Sequence, residues 1–257
     1  MFHLTFLGTG AADFSPKLAD EFRGRFTKEA RRSTSALLDG HVLIDCGPHT
    51  WESMEIAGIS PDAVSDLVFT HLHGDHFNEE NVRKLAAAKS APLHIWVRGS
   101  ADFPEIAGTI VHKMELYSEY DLGGGLSLTP VDANHDQNVH PEHLLFERDG
   151  AKMLYALDGA WFINKAYNFL KNASLSLLVI DATCGDYEGD FRMAEHNSIP
   201  MLRLMMPSLI KVKMITPETK IVLSHLARTL HKSHEETVEI VRNDGYIVAY
   251  DGMELDV

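Results

Sequence analysis

Cysteine is nearly absent from this chain of 257 residues; only Cys46 and Cys184 occur. Each falls in or just after a strand-like run, so they provide no disulfide framework and suit a reducing, cytosolic compartment. No apolar run approaches the roughly 18 residues that a membrane-spanning helix requires, and Met1 to Thr9 reads as a strand without the basic start of a signal peptide. Positive charge is also scarce: 23 Lys and Arg stand against 37 Asp and Glu, a formal net charge of −14. That balance argues against a broad surface for nucleic acid or any other polyanion. With 45% hydrophobic and 23% charged residues the composition excludes disorder, collagen and small disulfide scaffolds. A chain this long can bury a large core as one domain, residues 1–257. One residue type is plentiful, with 15 histidines.

Phe2 to Gly10 alternates and then reaches two glycines, which predicts a strand entering a turn. Ala11 to Arg32 reads as a long loop with some helix, and Ala36 to Asp45, broken at Asp39-Gly40, as a hairpin. Strands follow at Leu67 to Thr70 and Leu93 to Val97, with helices at Glu79 to Ala88 and Ala101 to Gly108. Leu126 to Val131, Leu144 to Glu147 and Met153 to Leu157 predict a second sheet, with a hairpin turn at Asp149-Gly150. A helix from Ile163 to Lys171 precedes Leu175 to Asp181, whose continuous apolar run predicts a strand buried on both faces. Helices at Met201 to Val212 and Ser233 to Arg242 alternate with strands at Ile221 to Leu223 and Tyr246 to Tyr250. Ser233 and Glu236 form a capping box. Two sheets with helices outside them predict a four-layer αββα sandwich of the α/β class.

His71-Leu72-His73-Gly74-Asp75-His76 carries the chemistry. From composition, three such histidines and one acid at fixed spacing are expected about 0.007 times by chance. In extended chain, residues two apart project to one side, so His71 and His73 can share a cation. A turn at Gly74 then lets Asp75 and His76 face a neighbouring position, and the pattern suits two metals side by side. Imidazole and carboxylate donors without thiolate favour Zn, Mn or Fe.

This motif, preceded by the Leu43-Ile44-Asp45-Cys46-Gly47 hairpin arm, resembles the metallo-β-lactamase superfamily of hydrolases. The resemblance implies three further ligands at strand ends. His135 would complete the first metal site with His71 and His73, and His225 the second with Asp75 and His76. Asp158 would bridge both. His140 and His143, on the same loop as His135, are alternatives to it. True β-lactamases carry cysteine where this chain has Asp158, whereas phosphodiesterase and thioester-hydrolase branches carry aspartate, so antibiotic hydrolysis is disfavoured.

Arg31-Arg32-Ser33 and Asp251-Gly252-Met253-Glu254-Leu255 resemble the phosphoribosyl 1,2-cyclic phosphate phosphodiesterases of phosphonate breakdown. That likeness implies a histidine near the scissile phosphate, which places His196 as general acid beside Asp75 as the other catalytic residue; His231 and His234 compete for the role. Those enzymes hold a structural zinc through a cysteine cluster in the N-terminal loop. Residues 11–32 contain no cysteine here and Arg228 takes the matching downstream position, so no structural zinc is expected. Asp45 reads either as an acceptor fixing a ligand histidine's tautomer or as a strand-end turn residue. Arg31 and Arg32 read as a solvated charge pair rather than a phosphate contact, and Met201 to Met206 as core or homodimer contact. The expected function is a two-metal phosphodiesterase for a small cyclic or nucleotide-like diester, with no membrane partner. The alternatives are a tRNA 3′-end endonuclease, which the charge opposes, and a non-catalytic metal-binding carrier.

Overall fold

The computed structural model describes residues 1–14 and 21–257. Among the described residues fourteen strands form two seven-stranded sheets. The first contains β1 (His3–Gly8), β2 (Ser35–Leu38), β3 (Val42–Ile44), β4 (Asp66–Val68), β5 (Leu93–Arg98), β6 (Thr109–Met114) and β14 (Glu254–Asp256), in the order β14-β1-β2-β3-β4-β5-β6. The second contains β7 (Tyr120–Asp121), β8 (Ser127–Asp132), β9 (Glu142–Arg148), β10 (Ala151–Ala156), β11 (Leu175–Asp181), β12 (Ile215–Ser224) and β13 (Ile247–Val248), in the order β13-β12-β11-β10-β9-β8-β7. The helices are α1 (Thr50–Ala57), α2 (Glu79–Ala87), α3 (Asn164–Phe169), α4 (Ile199–Lys211) and α5 (His234–Val241).

Side-chain alternation produces the layers. Leu4, Phe6, Leu38 and Ile44 point from the first sheet into the centre, where they meet Phe146, Met153, Tyr155, Leu177 and Val179 of the second. The residues between them point outward. Leu7, Leu37 and Leu43 pack with Met54 of α1 and Val82 and Leu85 of α2. Leu154, Leu178 and Ile180 pack with Leu202, Met205 and Leu209 of α4. Both faces of the central strands are therefore covered, which is why they read as unbroken apolar runs, and the αββα order is the one the sequence predicts. The Met201 to Met206 segment is mainly core: Leu202, Met205 and Met206 are buried, while Leu204 is exposed.

Helix starts follow their caps. Asn78 accepts from the Asn81 amide at the start of α2 and Ser198 from the Met201 amide at α4; the Ser233–Glu236 capping box forms at α5. The helix expected over 101–108 is absent: the chain runs without regular structure between turns. Pro104 removes a backbone donor and keeps Phe103 out of helical geometry, and Gly108 turns at φ +79°. Phe103 packs instead against Phe69 and Phe77, with ring centroids 5.7 and 5.4 Å apart. Sequence reading also missed β6, β7 and β14. Of the loop 11–32, residues 15–20 lie outside the described residues, and the remainder holds turns, with Glu21 and Phe22 in helical conformation. Among the described residues no helix is long and apolar enough to cross a membrane.

Candidate metal centre

Six strands deliver their last residues to one rim. Asp45 follows β3, His71 lies three residues past β4, His135 three past β8, Asp158 two past β10, and His225 follows β12, while Asp181 ends β11. Asp45, Asp158 and His225 leave their strands at φ +60°, +48° and +58°. Three non-glycine residues in left-handed geometry at one rim are a local strain that the surrounding packing holds in place. Gly47 is required by close approach: a Cβ there would lie 1.9 Å from the Asp75 carbonyl oxygen.

The seven predicted ligand residues come together. His73 Nδ1 lies 3.0 Å from His71 Nε2 and 3.1 Å from His135 Nε2. Beside this triad, His76 Nε2 and His225 Nε2 are 3.3 Å apart, and each is 3.5 Å from Asp75 Oδ2. Asp158 lies between the two groups, with Oδ2 at 2.8 Å from His76 Nε2 and 3.1 Å from His225 Nε2. Its Oδ1 is 3.7 Å from His135 Nε2. The groups His71/His73/His135 and Asp75/His76/His225 each have donor atoms close enough to hold one metal ion.

The hydrogen bonds behind the ligands test that fit. Thr70 Oγ1 donates to the Asp45 carboxylate, so at His71 it accepts from Nδ1–H, 3.1 Å away. His76 Nδ1–H donates to Asp45 at 2.8 Å, and His135 Nδ1–H to the Glu195 carbonyl at 3.3 Å. His225 Nδ1–H meets Thr183 Oγ1 at 2.7 Å, and that hydroxyl donates onward to Asp181 or the His225 carbonyl. In all four rings the outer nitrogen is held as a donor, which leaves Nε2 as the atom that would turn a lone pair inward on metal ligation. Charge agrees. Burial, then the neighbouring His76, holds His71 well below its ordinary pKa, and burial lowers His135, so these two rings are neutral. Burial opposes charge on His76 and His225 too, but Asp158 and the other nearby carboxylates outweigh it. His76 is held well above its ordinary value and His225 rises to about 10. Without a cation those two rings keep protons among the acids, and a bound cation would displace them.

The remaining expectations separate cleanly. His143 is buried against Gly159 and Phe162, and His140 ends a short turn; neither belongs to a ligand group. His196 does approach the site. Its Nδ1 is 2.9 Å from Asp181 Oδ2 and its ring centroid is 5.1 Å from that of His135. His231 is occupied, donating from Nε2 to the Ala182 carbonyl, and burial lowers it to about 4. His234 packs on Tyr250 at the start of α5. Asp45 is an acceptor for His76 and Thr70.

Arg31 and Arg32 are not the solvated pair expected. Both are buried because their guanidinium groups tie distant segments together: Arg31 reaches the Lys232 carbonyl, and Arg32 reaches Phe22, Glu52 and Asp251. Arg228 holds the N-terminal loop through the Glu29 and Ala30 carbonyls. Sequence reading missed Asp181 and Thr183, although Ile180-Asp181 repeats the Ile44-Asp45 signal of an apolar strand ending in an acid. It also missed the walls of the cavity of about 970 Å³ over the site, which include Phe14, Pro48, His49 and Arg192.

Residues 41–242 match the β-lactamase superfamily domain, and the chain belongs to that family. Ribonuclease Z of Methanococcus maripaludis is 38% identical over 74 residues, 28% of this chain and 20% of that protein. The match thus spans about a fifth of that curated relative's length. Among solved structures, a diphosphatase of the PhnP family superposes with a TM-score of 0.73 at 19% identity, covering 100% of this chain and 98% of the other. Zinc-bound PqqB of Methylobacterium extorquens gives 0.73 at 16% identity, covering 99% and 100%. These two likenesses are of fold.

Proposed function

We propose that this protein is a metal-dependent hydrolase of a small phosphodiester, using two divalent ions, zinc or manganese, with iron as a further option. One observation carries the reading: a single carboxylate, Asp158, stands between two donor triads, as a shared ligand of paired metals must. His71, His73 and His135 would hold one ion, Asp75, His76 and His225 the other. Cations there would supply Lewis acidity toward phosphoryl oxygens and a water whose pKa falls toward roughly 7.

The chain's own groups supply the rest. Asp75 adds negative charge to the second triad, and burial does not stop its pKa from being pulled below the ordinary value by His76 and His225. Asp181 and Thr183 hold His196 by Nδ1, at 2.9 and 3.2 Å, leaving Nε2 to deliver a proton to the departing alkoxide. Burial opposes charge on His196, but Asp181 keeps its pKa above the ordinary value, so that proton is available near neutrality. A diphosphatase and a ribonuclease among its relatives are both named for breaking phosphate linkages. The formal charge of −14 weighs against a long RNA, because phosphate contacts dominate RNA affinity.

Purified protein loaded with Mn²⁺ or Zn²⁺ should hydrolyse bis-p-nitrophenyl phosphate and a cyclic phosphodiester. Absence of turnover on every diester rejects the reading, and efficient cutting of precursor tRNA at its 3′ junction replaces it.

A further inference from the structure

The cavity has a second wall of a different kind, built by residues that bind no metal in the reading above. Phe14 and His49 meet there with ring centroids 4.3 Å apart and planes at 61°, so their rings form a corner. Ser33 sets the chemistry of that corner. Its backbone N–H donates to His49 Nδ1 at 3.3 Å, and its hydroxyl lies 3.0 Å from the same nitrogen. A backbone amide can only donate, so Nδ1 accepts and the ring proton sits on Nε2. Among the described residues the ring's hydrogen bonds are made by Nδ1 and none by Nε2. Burial, reinforced by the Arg32 guanidinium, lowers His49 to about 4. Near neutral pH the ring is therefore an uncharged donor, not a cation for phosphate. The cationic Arg192 on the same cavity is engaged by Asp190 through two contacts at 2.8 and 2.9 Å.

An aromatic face beside a neutral N–H suits a flat, uncharged ring with an acceptor on its edge. We propose that the Phe14–His49 corner is a nucleobase subsite, and that the substrate is a mononucleotide-sized diester with a base on one ester arm. This inference rests on the phosphodiesterase reading for its reaction, but the subsite itself concerns binding alone. About 970 Å³ accommodates a ligand of that size.

The test compares ligands that differ only in the base. Calorimetric titration of the metal-loaded protein with adenosine 5′-monophosphate and ribose 5-phosphate should give a Kd at least about ten-fold lower for the nucleotide, within the range that one aromatic stack supplies. Phe14→Ala should bring that ratio below about three, whereas Phe14→Tyr should restore it; the rescue separates stacking from misfolding. Equal affinity of the wild type for both ligands overturns the subsite without any variant. For turnover, kcat/KM for a 2′,3′-cyclic nucleotide should exceed that for a base-free cyclic ribose phosphate. Equal values overturn the subsite and leave the hydrolase standing. Base-selective binding with no turnover of any diester upholds the subsite and rejects the catalytic reading. An oligoribonucleotide cut far faster than every mononucleotide diester overturns the proposed substrate size.

Discussion

Asp45 does not line the cavity over the site, yet Asp45→Asn should weaken metal binding. Its Oδ1 accepts from the Thr70 amide at 2.8 Å and its Oδ2 from His76 Nδ1 at 2.8 Å. Asparagine has the same size and tolerates the left-handed φ of +60° at this position. It offers only one accepting oxygen, however. The Thr70 amide cannot change role, so the new NH₂ must face His76 Nδ1 and drive the ring proton to Nε2, the atom aimed at the metal. Losing such a partner typically costs 10- to 100-fold in metal affinity, or about 1.4–2.8 kcal/mol. The metal-free fold should lose less, because burial already raises the Asp45 pKa and makes its charge unfavourable. Zinc affinity from chelator competition, paired with urea unfolding of the metal-free protein, separates the two effects. An affinity within about three-fold of wild type in a normally folded variant would refute the tautomer argument.

Asp158→Ala removes the carboxylate between the triads. Elemental analysis should find about one ion fewer per chain, with diester turnover down by about 10³-fold; unchanged metal content would show that Asp158 bridges nothing. Phe146→Ala opens a hole between the sheets where the ring is fully buried and should cost about 3–5 kcal/mol in denaturant unfolding. A cost below about 1 kcal/mol would mean that the inter-sheet core is loosely packed. Asp251 behaves differently. Burial lifts its carboxyl from the ordinary 3.8 to about 6, in spite of Arg32 and Thr9. A raised carboxyl stabilises the fold below its unfolded pKa and loses that contribution as pH rises through the folded one. The wild-type stability, measured against Asp251→Asn, should therefore fall by roughly 3 kcal/mol between about pH 4 and pH 7. A difference that is flat with pH would refute this account.

The sequence exposes those parts of the fold whose cause is local. Leu175–Asp181 and Ala36–Asp45 declare themselves as buried strands because alternating sides are covered by different apolar layers. The hairpin turn and the α5 cap depend on neighbours a few residues away. β6 fails this test: it is an edge strand with Ile110 and Val111 partly exposed, so it lacks the pattern of a covered strand. Ala101 to Gly108 misleads for the opposite reason, since its helix-like apolar spacing is overridden by one proline. Arg31 and Arg32 look like a surface pair because their carbonyl and carboxylate partners lie as far away as Lys232 and Asp251.

The site divides along the same line. His71, His73, Asp75 and His76 are legible from spacing, since one short turn fixes their relation. His135, Asp158 and His225 have no local signal beyond following an apolar strand, and only resemblance picks them out. Phe14 and His49 have none at all: a lone phenylalanine and a lone histidine, 35 positions apart, acquire meaning only when Ser33 orients one ring and the other packs against it. The family match spans residues 41–242 and contains every ligand residue, His196 and His49, but it excludes Phe14 and Ser33. The proposed ligand set thus lies wholly within the family match, while half of the opposite wall comes from the N-terminal segment that lies outside it. Substrate preference built on that wall can diverge without disturbing a single metal ligand, so a shared ligand set in a relative is evidence about the reaction and not about the molecule being cleaved.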